Sequence, residues 1–136
     1  VIGMAAGDII KTHAFSVEKV DVDTDEDIAA GEVINDIGGA GFEQADAGNK
    51  GPFMIALEDH DYSEETTHTI KALFSGIVKV KKATGAISKG RAVVISSTAG
   101  SVTQWDGAIT DVYAIVGIAN EDAASGDTTI AVRVRC

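Results

Sequence analysis

The sequence predicts an all-β domain: a small β-barrel or sandwich built from two repeated modules, with an extended N-terminal arm. Three observations predict it. The chain of 136 residues holds 15 Gly against a single Pro, and its apolar residues gather in runs of strand length separated by turn residues. No window has helical periodicity with caps at its ends. Four short segments recur later in the chain, in the same order and at nearly one offset.

Residues 1–16 read as an extended arm with one candidate strand, Ile9 to Phe15. Val17 to Val22 alternates in twos, the mark of a half-buried strand, and runs into the acidic stretch Asp21 to Asp27. Glycines at 31, 38, 39, 41, 48 and 51 then cut out short strands at Val33–Ile34, Phe42–Gln44 and Phe53–Leu57. After a polar loop, Glu58 to Glu65, come Thr66–Phe74, a break at Gly76, and Ile77–Val80. Ala92–Ser96, Ser101–Gln104, Tyr113–Ala119 and Thr128–Arg135 complete the strands. Their regular spacing favours a barrel or sandwich.

The repeat organises these pieces. Ile28-x-x-Gly31-x-x-Ile34 returns as Ile87-x-x-Gly90-x-x-Val93 at an offset of 59, and Phe42 to Asp46 returns as Val102 to Asp106 at 60. Ile55 to Asp59 returns as Ile118 to Asp122 at 63, and Thr69 to Leu73 as Thr129 to Arg133 at 60. Two modules, about 28–74 and 87–133, each with one apolar face, would bury those faces against each other. Residues 17–136 therefore form a single domain, and alternation puts Ile70, Ala72, Phe74 and Ile130, Val132, Val134 in its core.

Charge is uneven. Of 21 acids, residues 1–68 carry 16 against three lysines, a net −13, while residues 69–136 carry +3. Such a chain repels nucleic acid; it suits a solubilising acidic face, tolerance of high salt as in a halophilic protein, or a basic partner. No apolar run is long enough for a membrane helix, and no basic region followed by an apolar run opens the chain, so neither a membrane nor a secretory signal is expected. An initiator Met is expected to have been removed ahead of Val1. Cys136 alone permits no internal disulfide and no cysteine-based zinc site.

Chemistry finds little purchase. Asp21, Asp23 and Asp25 would share one face of a strand and could offer oxygens to a cation. The EF-hand pattern fails, because Glu26 stands where the loop needs Gly. His60 sits among acids, and His13 and His68 stand alone without a metal-ligand spacing. No G-x-S-x-G elbow and no phosphate loop is present, Gly85 to Arg91 lacking Lys-Ser/Thr after its second Gly. The expectation is a protein that is not an enzyme and takes no cofactor and no metal. The one basic cluster, Lys79, Lys81, Lys82, Lys89 and Arg91, suggests subunit contacts at Lys79, Lys81, Lys82 and Arg91.

Residues 28–135 resemble the capsid cement, or decoration, proteins of tailed viruses, a family that has also carried a recombinase-like label. The resemblance runs in order through Ile28-Ala-Ala-Gly31-Glu-Val33, Phe53-Met-Ile-Ala56-Leu-Glu58, Thr69 to Val80, Gly85-Ala-Ile87-Ser-Lys-Gly90-Arg-Ala-Val93 and Thr98-Ala-Gly100-Ser-Val102. It closes on Val116-Gly117-Ile118-Ala119 and Ala124-Ser125-Gly126-Asp127-Thr128-Thr-Ile130-Ala-Val132-Arg133-Val134, the most specific block. The missing phosphate loop argues against the recombinase label. The resemblance implies a small β-barrel-like domain, a homotrimer on the outer surface of the virion, the major capsid protein as partner, and no catalysis. The arm then suggests the attachment mode. Ile9, Ile10, Lys11, Thr12 and Phe15 become candidate capsid contacts, adding a strand to the partner. The other arrangement open to the arm is an edge strand on its own barrel or a neighbouring subunit. A glycan- or receptor-binding β module on a virion or cell surface is the alternative function, and would depend on Trp105 or Tyr62.

Overall fold

The computed structural model describes residues 5–135, with side chains except at residues 10–15. Among the described residues nine strands make one antiparallel sheet that curls into a half-barrel: β1 (Ile9–Asp21), β2 (Val33–Asn35), β3 (Glu43–Gln44), β4 (Met54–Ala56), β5 (Thr69–Lys81), β6 (Ala92–Ile95), β7 (Val102–Gln104), β8 (Ile115–Ala119) and β9 (Thr129–Val134). A 3-10 helix, Ile109–Ala114, precedes β8. The strand order is β3-β2-β4-β5-β9-β8-β6-β7, with β1 alongside β5.

That order is palindromic, and the residue pairings explain why. In the first module Ile34 pairs with Gln44 and with Met54, and Ile55 and Ala56 pair with Leu73 and Ala72. In the second, Val93 pairs with Gln104 and with Gly117, and Ile118 and Ala119 pair with Arg133 and Val132. Every partner is displaced by the offset found in the sequence. The isolated bridges follow suit: Val22 meets Phe42 as Lys82 meets Val102, and Ile28 meets His60 as Ile87 meets Ala123. Gly31 and Gly90 both take φ near +88° (88° and 87°), a left-handed turn that favours glycine in both copies.

The register extends the repeat beyond 28–74 and 87–133. Val17 to Asp21 of β1 pairs with Leu73 to Thr69 of β5, and Ile77 to Lys81 of β5 pairs with Arg133 to Thr129 of β9 in the same sense. Strand β5 thus serves twice, its first half closing module one and its second half opening module two. This is why Gly76 does not break the chain into two strands: β5 runs through it, with Gly76 paired to Val134.

Two apolar clusters form among the described residues. Val20, Val22, Ile28, Ile34, Met54 and Ile70 form the core of module one. Val80, Ile87, Val93, Val102, Ile130 and Val132 form that of module two, joined by Val33, Phe53, Ile55 and Leu73 from the other face of module one. Strands β2 and β4 are buried at every residue, so Val33–Ile34 and Met54–Ala56 read as continuous apolar runs rather than alternating ones, and β2 ends on the buried amide of Asn35. Ile70, Ala72, Ile130, Val132 and Val134 are buried as expected; Phe74 is not, with 40% of its surface exposed. It lies where module one ends, its ring covered by the Arg135 guanidinium 4.0 Å from the centroid instead of by the core.

The N-terminal stretch lies along its own sheet. Ile9 pairs with Val78 and Lys11 with Ile77, while residues 12–15 bulge opposite Gly76. Upstream, the Gly7 N–H donates to the Lys79 carbonyl at 2.6 Å and the Lys79 N–H to the Asp8 carbonyl at 3.0 Å. Of the two arrangements open to the arm, the described residues adopt the edge strand on their own domain.

Candidate interaction surfaces

The expected sites scatter. Ile9 is partly buried against the second core. The side chains of Ile10, Lys11, Thr12 and Phe15 lie outside the described residues. The members of the basic cluster differ in exposure. The Lys79 ammonium pairs with Glu121 at 2.5 Å, Lys81 is half-buried and Arg91 exposed. Lys82 must be withdrawn as a subunit contact: it is buried, and its Nζ donates to the carbonyls of Ala83, Ser125 and Asp127 at 2.9, 3.2 and 3.1 Å. Alternation along β5 turns Lys82 inward, to the position that Val22 fills in module one.

Glu121 shows how the modules reuse polar side chains. Burial pushes its carboxyl up, but the Lys79 ammonium and the Ala131 N–H outweigh this and hold it below the ordinary range. Glu58, its counterpart at the offset of 63, accepts from the Lys71 N–H, as Glu121 accepts from Ala131. Asp59 and Asp122 likewise accept from Ala30 and Lys89. These acids are turn and strand fasteners.

The acidic segment folds in the same spirit. Hydrogen bonds from the Thr24 and Ala40 amides hold Asp23 below its ordinary value. Burial pushes the neighbouring Glu43 up, aided by its hydrogen bond with Asp23 and the charges of Glu26, Asp23 and Asp46. Asp25 occupies the left-handed region at φ 61°, where Gly85 stands in the second module at φ 120°. The three aspartates therefore do not present one strand face.

Sequence reading missed a cluster at the end of module one. Buried His60 places Nε2 3.1 Å from Nδ1 of His68, and the Tyr62 ring stacks on His68 at 3.7 Å and 10°. The repeat was the available signal: it sets His60 against Ala123 and His68 against Thr128, so only one module carries imidazoles there. Tyr62 is thereby engaged within the fold, and the Trp105 indole N–H is bonded to the Ala108 carbonyl at 2.9 Å. The two aromatics expected for a glycan platform are both half-buried in local contacts.

Two concave surfaces stand out among the described residues. One is an apolar groove of about 270 Å³ formed by Phe42, Pro52, Met54 and Phe74 and edged by Glu18, Asp36 and Lys50. The other is a polar cavity of about 240 Å³ between the modules, bounded by the loop 47–50, strands β6 and β7, and the 3-10 helix. The Gly51 N–H donates to the Tyr113 carbonyl at 2.8 Å and so ties the two rims together. Among the described residues, no three metal-ligating side chains come together, and no helix is long and apolar enough to cross a membrane.

No family model matches the chain, and no curated protein matches it.

Proposed function

We propose that this chain is a structural virion protein that binds the outer surface of a viral capsid and stabilises it, acting as a homotrimer. The ordered resemblance over residues 28–135 supports this reading, and the all-β two-module fold is consistent with it. The observation that carries it is the groove beside Phe74. An exposed aromatic among Phe42, Pro52 and Met54, on a chain of net charge −10, is a place for a partner's apolar side chain. Glu18, Asp36 and Lys50 at the rim supply orientation by charge. Attachment by the arm is recast accordingly. Residues 7–11 pair with β5 of their own chain, and we place the capsid contact on the folded face.

The test is titration of the purified chain onto undecorated capsids, with occupied sites counted by cryo-microscopy. Saturable occupancy that Phe74→Ser weakens is the expected result. Absence of binding overturns the capsid reading, and a sedimentation mass of one chain at all concentrations overturns the trimer.

A further inference from the structure

The cavity between the modules is built differently from the groove. Its floor is β6 and β7 of module two, one rim is the loop 47–50 of module one, and the other is the 3-10 helix. Packing two modules makes this space, and neither module has it alone. Its lining is rich in hydrogen-bonding groups that the fold leaves unused. Among the described residues the side chains of Ser97, Thr103, Thr110 and Asp111 take part in no hydrogen bond, whereas their neighbours in the lining, Asn49, Ser96, Gln104 and Asp106, fasten turns. Tyr113 stands at the mouth with 70% of its surface exposed, and Lys50 Nζ lies 5.9 Å from its ring centroid.

We propose that this cavity binds a neutral sugar ring. Size, lining and charge each narrow the choice. About 240 Å³ suits one ring rather than an extended polymer or a large cofactor. A carboxylate such as Asp111 accepts from two neighbouring hydroxyls at once, and threonine and serine hydroxyls both donate and accept, which matches a ligand whose every polar group is a hydroxyl. The exposed Tyr113 ring offers an amphipathic wall for the C–H face of a sugar, its phenol remaining in water. An anion is disfavoured, because Asp106 and Asp111 outnumber Lys50 in the lining and the chain carries −10 overall. This site adjoins the Phe74 groove, with which it shares Lys50, but its occupancy does not depend on attachment to a capsid.

The experiment is an amide chemical-shift titration of the intact chain with glucose, galactose, mannose and N-acetylglucosamine, each alone, and with inorganic phosphate. At least one sugar should perturb the amides of residues 47–50, 103–106 and 110–114 saturably, with phosphate silent. Tyr113→Ala and Asp111→Asn should each weaken that sugar roughly tenfold or more, the scale of one lost hydrogen bond to a charged group or one lost aromatic wall. Tyr113 is exposed and Asp111 half-buried, and an unchanged melting temperature establishes that each variant is folded. No perturbation by any of the sugars overturns the proposal. Perturbation outside this cavity, binding that survives both substitutions, or a response to phosphate in place of sugar overturns it equally.

Discussion

Lys82 is the sharpest point at which the two modules part, and its replacement by methionine tests how module two is closed. Lys82→Met keeps most of the buried stem and removes only the ammonium. Three bonds from a charged donor disappear, to the carbonyls of Ala83, Ser125 and Asp127, each worth about 1.5–3 kcal/mol. Two terms offset the loss. The folded state no longer strips water from an ammonium, a cost of several kcal/mol. Ser125 and Asp127 are themselves exposed, so their carbonyls can turn to water. The net is a destabilisation of roughly 2–3 kcal/mol, which in a domain of this size lowers the melting temperature by about 6–12 °C. Urea unfolding followed by circular dichroism gives the free energy, and a scan gives the temperature. A Lys82→Met chain as stable as the parent, within about 0.5 kcal/mol, would refute the reasoning. It would mean that desolvating the charge cancels its bonds and that the carbonyl cage contributes nothing net.

Glu43 binds its proton more tightly folded than unfolded, so its contribution falls as pH rises from the ordinary glutamate range through the raised folded value. Glu43→Gln should therefore stabilise the domain at pH 7 by a few tenths to about 1 kcal/mol, and the gain should vanish near about pH 4; no gain at pH 7 defeats this. Asp23 acts in the opposite sense, its stabilisation lost as pH falls through its lowered value, so Asp23→Asn should cost stability at pH 7 and cost nothing in acid. Deleting residues 1–14 removes the Gly7 and Asp8 bonds to Lys79 and the packing of Ile9. The shortened chain should fold but unfold about 2–3 kcal/mol more easily in urea, and an unchanged midpoint would show that this half of β1 adds nothing. With −13 on residues 1–68 and Lys79–Glu121 the one ion pair among the described residues, the melting temperature should climb between low and molar salt. A flat or falling midpoint removes the self-repulsion argument.

The repeat was legible because it is written in the residues that pairing and turns demand. Gly31 and Gly90 must reach positive φ, Gln44 and Gln104 sit at the same register, and Ile34 and Val93 fill the two cores. The extension to Val17–Val22 and Ile77–Lys82 was also present, in Lys19-Val20 against Lys79-Val80, but Lys82 stands where Val22 does and disguises the match. Phe74 could not be placed by alternation. A period of two says which residues share a face, not where the neighbouring strand ends, and Phe74 lies where β4 no longer covers β5. The arm was ambiguous for a related reason: an extended segment with mixed side chains carries no mark of whose edge it joins. The Tyr113 cavity was invisible because its residues come from four separated segments and are ordinary in each.

Duplication turns these differences into a map of where the chain is free to vary. The backbone pairing is common to both modules, so any residue that the pairing requires should look alike in both. Where the two disagree, the fold has not dictated the choice. Val22 against Lys82, Tyr62 against Ser125, His60 against Ala123 and His68 against Thr128 all cluster at one end of their modules. Module one closes that end with stacked rings and module two with an ammonium held by carbonyls. One backbone therefore tolerates two chemically unrelated plugs. The plug stabilises its module without setting the register, which is held by the strands themselves. For the same reason, Lys82→Met should lower stability while leaving the β-sheet spectrum of the folded chain unaltered.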